Sequence, residues 1–356
     1  MHHTSGTPTQ VQSICILRLS AIGDVTHVLP VVHTLQRHYP HAHITWIIGK
    51  LEYQLVGDLP GIEFIVFDKS KGWRSYHELR KLMKDRHYDL LLHMQIALRA
   101  SLLSALIPAR IRLGYDKARA KNGQWLFTNA QIAAVEHQHV LDSFLEFARW
   151  LGLDTNQPRW ELPIPEQAVR FAGEYCGANE RVLLINPCTS VRLNNWRNWS
   201  VQNYAAVADY AISRHGMKVI LTGGPSEQEI QYAAEISQHM AHQPINLCGQ
   251  TTLKQLLALI RAATVMIAPD TGPMHMATVV DTPVIGLFAT SNPLRTGPYR
   301  SQQWVVNAYP QAMERFTGKR IDQVAWGKRV RDPAAMELIT VDAVIENLDR
   351  VLTSPS

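Results

Sequence analysis

The chain has 356 residues, a formal net charge of +5 and an isoelectric point near 9.0. A hydrophobic fraction of 46% excludes a mainly disordered chain, and no apolar run is long enough to span a membrane. This length exceeds what one core usually supports, so two domains are expected, and the polar first residues predict a protein that is not secreted.

The first half alternates apolar strands with amphipathic helices. The predicted strands are 13–20, 43–49, 64–68 and 89–94, and the predicted helices are 25–39, 76–86 and 140–151. Alternating strands and helices predict a parallel sheet with right-handed crossovers.

A linker and a second α/β half follow. Segment 156–167 carries three prolines and little periodicity, so the domain boundary is placed there. The predicted strands beyond it are 181–188, 218–224, 265–268 and 284–288, and the predicted helices are 201–215, 227–239, 253–262 and 339–352. We therefore expect two doubly wound domains, 1–160 and 161–338, with a cleft between them. A C-terminal helix in 339–356 is expected to pack back on the first domain.

The stretch 264–300 is the most informative part of the chain. An Asp270-Thr271-Gly272 turn follows a buried strand, and Pro273 suits the first position of a helix. Thr271 and Gly272 would then lie at the positive end of that helix, which binds anions. A second polar loop, 289–297, follows the next strand, and two such loops fit a diphosphate. The same residues also serve as ordinary turn and capping residues.

Asp24 lies where the first strand ends and a helix begins. Ligands bind at this position in open α/β sheets, so Asp24 could accept a proton from an attacking sugar hydroxyl. Capping of the helix is the alternative, and one carboxylate can do both.

The second half offers further polar candidates. Thr189 and Ser190 follow a strand, and Arg197 could pair with phosphate oxygens, although an exposed loop with packing tryptophans is equally consistent. Glu227 could bind a ribose or cap a helix, and His275 could donate to a phosphate or pack in the core.

Basic residues cluster in 110–121, including Lys117, Arg119 and Lys121, and again in 315–331. No nucleic-acid-binding pattern accompanies them, so nucleic acid is not expected as a partner. These clusters are either solvated surface or contacts for an acidic or phosphorylated substrate. Four cysteines lie far apart and predict reduced, mostly buried thiols in a cytosolic enzyme, and the histidines lack metal-ligand spacing, so no metal is expected.

Five motifs occur in one order along 14–299: ILRLSAIGDVTHVLP, INPCTSVRLNNWRNWS, LTGGPSEQE, APDTGPMHMA and GLFATSNPLRTGPY. With these motifs the chain resembles the ADP-heptose:lipopolysaccharide heptosyltransferases, an inverting glycosyltransferase family. The resemblance implies a GT-B fold, with two Rossmann-like domains facing a cleft, and catalysis that needs no metal or other cofactor.

The resemblance also implies residue roles. Asp24 would be the general base of the acceptor domain, beside Gly23, and Lys117, Arg119 and Lys121 would contact the acceptor. The implied donor site comprises Thr189, Ser190, Glu227, Asp270, Thr271, Gly272, His275, Thr296 and Gly297. Arg197 stands where the family commonly has Lys, and it would stabilise the leaving ADP. Cys188-Thr189 replaces the usual Gly-Ala, which indicates an uncommon branch.

The resemblance therefore implies heptose transfer from ADP-L-glycero-β-D-manno-heptose to the Kdo of Kdo-lipid A, as in heptosyltransferase I. The enzyme would be cytoplasmic and would contact the inner membrane peripherally. Three alternatives stay open: a family member with another acceptor or sugar nucleotide, a GT-B sugar-nucleotide epimerase, and a non-catalytic nucleotide-binding scaffold.

Overall fold

A computed structural model describes residues 11–189 and 195–354. The chain divides into two compact units, Met1–Pro163 and Ile164–Ser356. The boundary between them lies inside the proline-containing linker predicted for 156–167.

The first unit is built on one six-stranded parallel sheet in the order β3-β2-β1-β4-β5-β6. Its strands are β1 (Ser13–Leu17), β2 (His43–Gly49), β3 (Ile62–Phe67), β4 (Tyr88–His93), β5 (Ala109–Gly114) and β6 (Ala130–Gln131), and its helices are α1 (Ile22–His38), α2 (Lys50–Val56), α3 (Trp73–Met83), α4 (Leu98–Ser104) and α5 (Val140–Trp150). The strand order reverses between β1 and β4, so this is a doubly wound sheet with its switch point there.

The central strands of this sheet are apolar on both faces because helices cover both faces. Ile14 of β1 pairs in register with Ile44 of β2 and with Leu90 of β4, and all three side chains are buried. Such continuous apolar runs are typical of parallel sheets. The predicted parallel sheet is confirmed.

The second unit repeats the same strand topology in the order β12-β11-β10-β7-β8-β9. Its strands are β7 (Val182–Ile185), β8 (Lys218–Leu221), β9 (Ile245–Asn246), β10 (Val265–Pro269), β11 (Val284–Phe288) and β12 (Val306–Asn307), and its helices are α6 (Glu166–Tyr175), α7 (Val201–His215), α8 (Glu227–His239), α9 (Leu253–Ala262), α10 (Gly272–Val279), α11 (Pro293–Thr296), α12 (Tyr309–Thr317) and α13 (Val341–Thr353). Here the order reverses between β7 and β10.

The final helix corrects one expectation. We expected a helix in 339–356 to pack on the first domain, but Val344, Leu348 and Val351 of α13 belong to the hydrophobic core of the second unit. The chain just before α13 is also held there, because the indole N–H of Trp199 donates to the carbonyl of Ile339 at 2.9 Å. Its apolar face is therefore buried within the C-terminal unit.

Strand β5 was not predicted, because its arginines were assigned to a basic cluster. Arg112 lies within β5, and its guanidinium donates to the carbonyls of Phe127 at 2.8 Å, of Ile107 at 2.7 Å and of Ser104. Arg112 therefore ties the outer strand to its surrounding loops and is not a surface contact for a substrate.

All four cysteines are free thiols, as predicted, and Cys15, Cys188 and Cys248 are buried. Burial raises the pKa of Cys248 to about 12. These thiols are therefore protonated and unreactive at neutral pH.

Glu63 is expected to make stability depend on pH in the acidic range. Its carboxylate accepts from Arg86 at 2.6 and 2.8 Å, and also from His43 and Thr45, both at 2.9 Å. The hydrogen bonds from Arg86 are the main cause that lowers its pKa from 4.5 to about 2. Since the folded pKa is the lower one, the stabilisation is present above about pH 4.5 and is lost as the pH falls towards 2.

Glu63→Gln should therefore lower the free energy of unfolding at pH 7 by about 1–2 kcal/mol, a value reduced by solvent screening of this partly exposed cluster. The difference in the free energy of unfolding between Glu63→Gln and wild type should become smaller as the pH is lowered from 5. Urea unfolding across this range measures it, with Glu78→Gln, an exposed partner of Lys71, as the matched control. An equal gap at every pH would contradict the assignment.

Candidate active site

The switch point of the first sheet brings together the loops that follow β1 and β4. The amide of Leu19 donates to the side-chain oxygen of Gln95 at 2.7 Å, and the Gln95 amide donates to the hydroxyl of Ser20 at 3.3 Å. Crevices at such points are where open α/β sheets bind ligands.

Asp24 lies at this point, as the third residue of α1. Its carboxylate accepts from the backbone amide of Ala21 at 3.3 Å, so it does cap the helix. It also pairs with the guanidinium of Arg18, while 33% of its side chain remains exposed. Capping and access to a substrate hydroxyl are thus compatible at this one carboxylate.

Arg18 is a site residue that the sequence analysis missed. Its side chain is only 10% exposed, and Nη1 donates to the carbonyl of Met94 at 2.6 Å. The guanidinium also lies 5.1 Å from the centre of the Phe144 ring. Arg18 is therefore held rigidly and fixes the orientation of the Asp24 carboxylate. A single arginine directly after an apolar strand was the signal that could have revealed it.

The other predicted acceptor-side residues divide into two groups. Gly23 is buried, and its carbonyl accepts from the Thr26 hydroxyl at 2.7 Å. Arg119 is occupied by the chain itself: it pairs with Asp116, and Nη1 donates to Gln138 at 2.8 Å.

Lys117 and Lys121, in contrast, are exposed on the loop that follows β5. The sequence predicted three basic acceptor contacts, Lys117, Arg119 and Lys121. Because Arg119 is used in internal contacts, the two lysines are the ones that a ligand can reach.

The switch point of the second sheet holds Arg197 beside Asp270. Arg197 precedes α7, and Asp270 directly follows β10. Nη1 of Arg197 donates to the backbone carbonyl of Asp270 at 2.6 Å and lies 3.5 Å from its carboxylate oxygen Oδ2. The guanidinium is thereby positioned at the first turn of α10.

The Asp270 carboxylate is shared by further groups. The Ser291 hydroxyl donates to Oδ2 at 2.9 Å, and Nη2 of Arg329 lies 3.9 Å from the same atom. The Asp270 side chain is only 9% exposed. Two guanidinium groups around one carboxylate leave a net positive charge at the N-terminus of α10, where an anion is also favoured by the helix dipole.

Arg329 is a second residue that the sequence analysis did not assign to the site. Its neighbours hold it in place: the amide of Val330 donates to the carbonyl of Thr290 at 3.0 Å, and the Tyr309 hydroxyl donates to the carbonyl of Lys328 at 2.8 Å. The Arg329 side chain is 43% exposed. It is thus anchored at its backbone and accessible at its head group.

Helix α10 begins as the sequence predicted, with Pro273 in its first turn. Thr271 is the N-cap residue and provides no side-chain cap. The first amides of a helix have no partner within the helix, so those of α10 add partial positive charge at the end of the helix where Arg197 and Arg329 lie. His275 is buried in the first turns of α10, with 7% of its surface exposed.

Thr296 and Gly297 end the short helix α11. The amide of Thr296 donates to the carbonyl of Asn292 at 3.1 Å, and that of Gly297 donates to the carbonyl of Pro293 at 2.7 Å. Gly297 is a packing requirement, since a Cβ there would lie 2.5 Å from the Pro293 oxygen. The Thr296 hydroxyl also donates to the carbonyl of Asn292 at 3.4 Å, so the chain itself uses the polar hydrogens of this pair. Contact of the pair with a diphosphate stays a prediction.

The loop after β7 is closed by hydrogen bonds around Thr189, which is 2% exposed. Its hydroxyl donates to Asn195 at 2.7 Å, and its amide donates to Asn198 at 3.2 Å. Thr189 is therefore held within the loop. Ser190, its predicted companion, lies outside the described residues.

Glu227 is the first residue of α8, and its side chain is exposed. The capping role belongs to its neighbours: Ser226 accepts from the amide of Glu229 at 3.3 Å, and the Glu229 carboxylate accepts from the amide of Gly224 at 2.6 Å. The capping alternative for Glu227 is thus unnecessary, and its carboxylate remains accessible to a ligand.

Within residues 11–189 and 195–354, no group of three His, Cys, Asp or Glu side chains is placed to hold a metal ion. None of the helices in the same residues has the length and apolar character needed to cross a bilayer. Catalysis without a metal stays a prediction.

Two α/β units with the same strand order, each with a polar cluster at its switch point, match the GT-B fold. Residues 76–324 match glycosyltransferase family 9 (heptosyltransferase). The chain belongs to this family, which confirms the resemblance found in the sequence motifs. It is 39% identical over 340 residues to the lipopolysaccharide core heptosyltransferase OpsX of Haemophilus influenzae, a match that covers 96% of this chain and 97% of that protein.

Solved structures agree with the fold. A glycosyl transferase family 9 protein from Veillonella parvula superposes with a TM-score of 0.79 at 22% identity, covering 98% of this chain and 99% of that one. The E. coli heptosyltransferase WaaC with ADP gives a TM-score of 0.73 at 18% identity, covering 96% of this chain and 100% of that one. The predicted GT-B fold is confirmed.

Proposed function

We propose that this enzyme transfers heptose from ADP-L-glycero-β-D-manno-heptose to the Kdo residue of Kdo-lipid A, with inversion at the anomeric carbon. The 39% identity to a lipopolysaccharide core heptosyltransferase, over nearly the whole of both chains, is the observation that carries heptosyl transfer in the lipopolysaccharide core. The identity of the acceptor rests on the sequence motifs.

Asp24 acts as the general base in this proposal. Its carboxylate accepts the proton of the acceptor hydroxyl while that oxygen attacks the anomeric carbon. Proton transfer accompanies bond formation, because a free hydroxyl is far less acidic than an aspartic acid. Arg18 orients the carboxylate by its ion pair, and the exposed third of the Asp24 side chain gives the hydroxyl its access.

The leaving ADP is stabilised by positive charge in the second unit. Arg197 and Arg329 surround Asp270 at the N-terminus of α10, so their guanidinium groups and the first amides of that helix offset the charge that develops on the diphosphate. Glu227 accepts hydrogen bonds from the ribose hydroxyls. Asp270 holds both arginines in position.

Lys117 and Lys121 bind the anionic groups of the acceptor, which lies at the cytoplasmic face of the inner membrane. Lys117→Gln with Lys121→Gln should raise the acceptor KM by about fivefold to twentyfold at low ionic strength, and the effect should shrink with added salt. Steady-state kinetics at several salt concentrations measure this, with the exposed Lys84→Gln as control. An unchanged KM at low salt would reject the role.

One assay separates the proposal from its alternatives: ADP release and product mass with Kdo-lipid A, with an already heptosylated acceptor, and with no acceptor. Transfer to Kdo-lipid A supports the proposal, and preference for the heptosylated acceptor assigns a later step. A separate incubation with UDP-GlcNAc and no acceptor, followed by NMR, tests the epimerase alternative, and conversion to an epimer would support it. Nucleotide binding with no turnover of any of these substrates supports a scaffold.

A further inference from the structure

The loop that follows β1 carries a polar side chain to which the proposed mechanism gives no role. Ser20 lies between Arg18 and Asp24 in the chain, and it is half-buried. Its hydroxyl oxygen accepts a hydrogen bond from the side-chain amide of Gln95 at 3.3 Å. Whether the Ser20 hydroxyl can bind a ligand depends on how Gln95 is oriented.

The orientation of the Gln95 side chain is fixed by the backbone. The amide of Leu19 lies 2.7 Å from the Gln95 side chain, and a backbone amide can only donate. The Gln95 atom that it meets is therefore the oxygen Oε1. The nitrogen Nε2 is then the atom directed at Ser20, so Gln95 donates and Ser20 accepts.

The backbone around Gln95 is held as well. Gln124, which is fully buried, donates from Nε2 to the carbonyl of His93 at 2.9 Å and to the carbonyl of Gln95 at 3.3 Å. Arg18 donates to the carbonyl of Met94, the residue between them, at 2.6 Å. A shift of this loop would break several of these bonds, so Gln95 stays in place.

The Ser20 hydroxyl is consequently left with its own proton to donate. A hydroxyl has one donor and two acceptor positions, and the bond from Gln95 uses one acceptor position. In the part of the chain that the structure describes, no other group receives the Ser20 proton. This proton is available to a bound ligand, four residues before Asp24.

We propose that Ser20 is a further acceptor-binding residue, whose hydroxyl donates to a second oxygen of the acceptor sugar while Asp24 accepts from the attacking hydroxyl. The two groups have opposite roles, since a carboxylate only accepts and this serine donates. A sugar binds both only when it presents a donor to Asp24 and an acceptor to Ser20, which selects the hydroxyl that attacks. Gln95 is the positioning residue that keeps Ser20 a donor.

The inference rests on the proposed function in one respect: the acceptor is a sugar bound at the switch point of the first sheet. The second oxygen belongs either to another hydroxyl or to the carboxylate of a sugar acid, and both accept a hydrogen bond. Because this contact forms when the acceptor binds, its loss should raise the acceptor KM and leave kcat near the wild-type value.

The test measures steady-state kinetics of the full chain with Kdo-lipid A. Ser20→Ala should raise the acceptor KM by about threefold to tenfold, the effect of one lost hydrogen bond, with the donor KM unchanged. Ser13→Ala is the matched control, since Ser13 is half-buried at the opposite end of β1, and it should behave as wild type.

An acceptor whose carboxyl is reduced to an alcohol identifies the second oxygen. If Ser20→Ala no longer raises the KM of this reduced acceptor, the partner of Ser20 is the carboxylate. If the rise persists, the partner is a hydroxyl. Both results support the proposal.

Gln95→Glu tests the positioning role. One glutamate oxygen can still accept from the Leu19 amide, but the other can only accept, so it takes the Ser20 proton. We expect an acceptor KM raised at least as much as in Ser20→Ala, and less than additive effects in the double variant. The rise should persist in added salt, which screens the new charge. Gln12→Glu, the same change at an exposed residue before β1, is the control.

An acceptor KM in Ser20→Ala equal to that of wild type overturns the proposal, and so does a rise confined to the donor KM. An effect of Gln95→Glu that added salt abolishes overturns the positioning role of Gln95. Wild type that uses only the heptosylated acceptor refutes the assignment of Kdo alone, because the same variants are then measured with that acceptor. Wild type that neither binds nor uses either acceptor refutes both proposals.

Discussion

Asp24→Asn should abolish heptosyl transfer while leaving the affinity for ADP unchanged. Asparagine has nearly the same size and can still accept from the Ala21 amide, but it cannot take a proton from the acceptor hydroxyl. Loss of a general base costs about 10²–10⁴ in rate, and we expect the upper part of that range because Asp24 is the candidate base of this unit. The kcat is measured by ADP release and the Kd of ADP by calorimetry.

A matched control is Asp68→Asn. Asp68 also lies at the carboxyl edge of the first sheet, after β3, and its carboxylate caps a turn by accepting from the Ser70 amide at 3.0 Å. Its loss should leave kcat within about twofold of wild type, since surface caps contribute to stability and not to the reaction. An Asp24→Asn variant with near-normal kcat would disprove the assignment of the base.

Arg197→Ala should lower kcat by about 10²–10³, because it removes one of the two guanidinium groups that stabilise the leaving diphosphate in the proposed mechanism. Arg197→Lys should recover part of this loss, since lysine keeps the charge but not the planar fork. Arg197→Ala should also lower the free energy of unfolding by about 1–2 kcal/mol, because the Asp270 carboxylate, which is only 9% exposed, loses a charged partner. Kinetics with varied donor and varied acceptor, together with thermal unfolding, measure these effects.

Arg329 is the second arginine beside the Asp270 carboxylate, so it is tested together with Arg197. Combining Arg197→Ala with Arg329→Ala should cost less than the sum of the single losses, as groups that act on the same charge couple. Arg331→Ala, an exposed arginine two residues away, is the control and should behave as wild type. An unchanged kcat with a raised acceptor KM in Arg197→Ala would contradict the leaving-group role of Arg197.

Helices were predictable from the sequence where an apolar repeat at helical spacing begins directly after a capping residue. Helices α8 and α9 begin and end where the sequence placed them, because Ser226 and Thr252 cap them and apolar residues recur at helical spacing. The helix start at Thr271 was predictable for the same reason, since Pro273 marks the first turn of a helix. Such signals lie within a few residues of the feature that they predict.

Contacts between distant segments could not be read from the sequence. Arg329 approaches Asp270 only because its segment is bonded to the chain after β11, so its role depends on tertiary structure. The outer strand β5 was missed because Arg110 and Arg112 break its apolar pattern. The pairing of Arg18 with Asp24 likewise requires the turn between them.

Each sheet satisfies its backbone hydrogen bonds with strands from its own unit. The loops after β1, β4 and β5 can therefore lengthen, shorten or change composition with no effect on the register of β7, β10 and β11. With the acceptor assigned to the first unit and the nucleotide to the second, as proposed, natural variation would be free to change which sugar is glycosylated while the second unit stays constant. A chimaera in which only the first unit comes from another family member should have the acceptor preference of that family member.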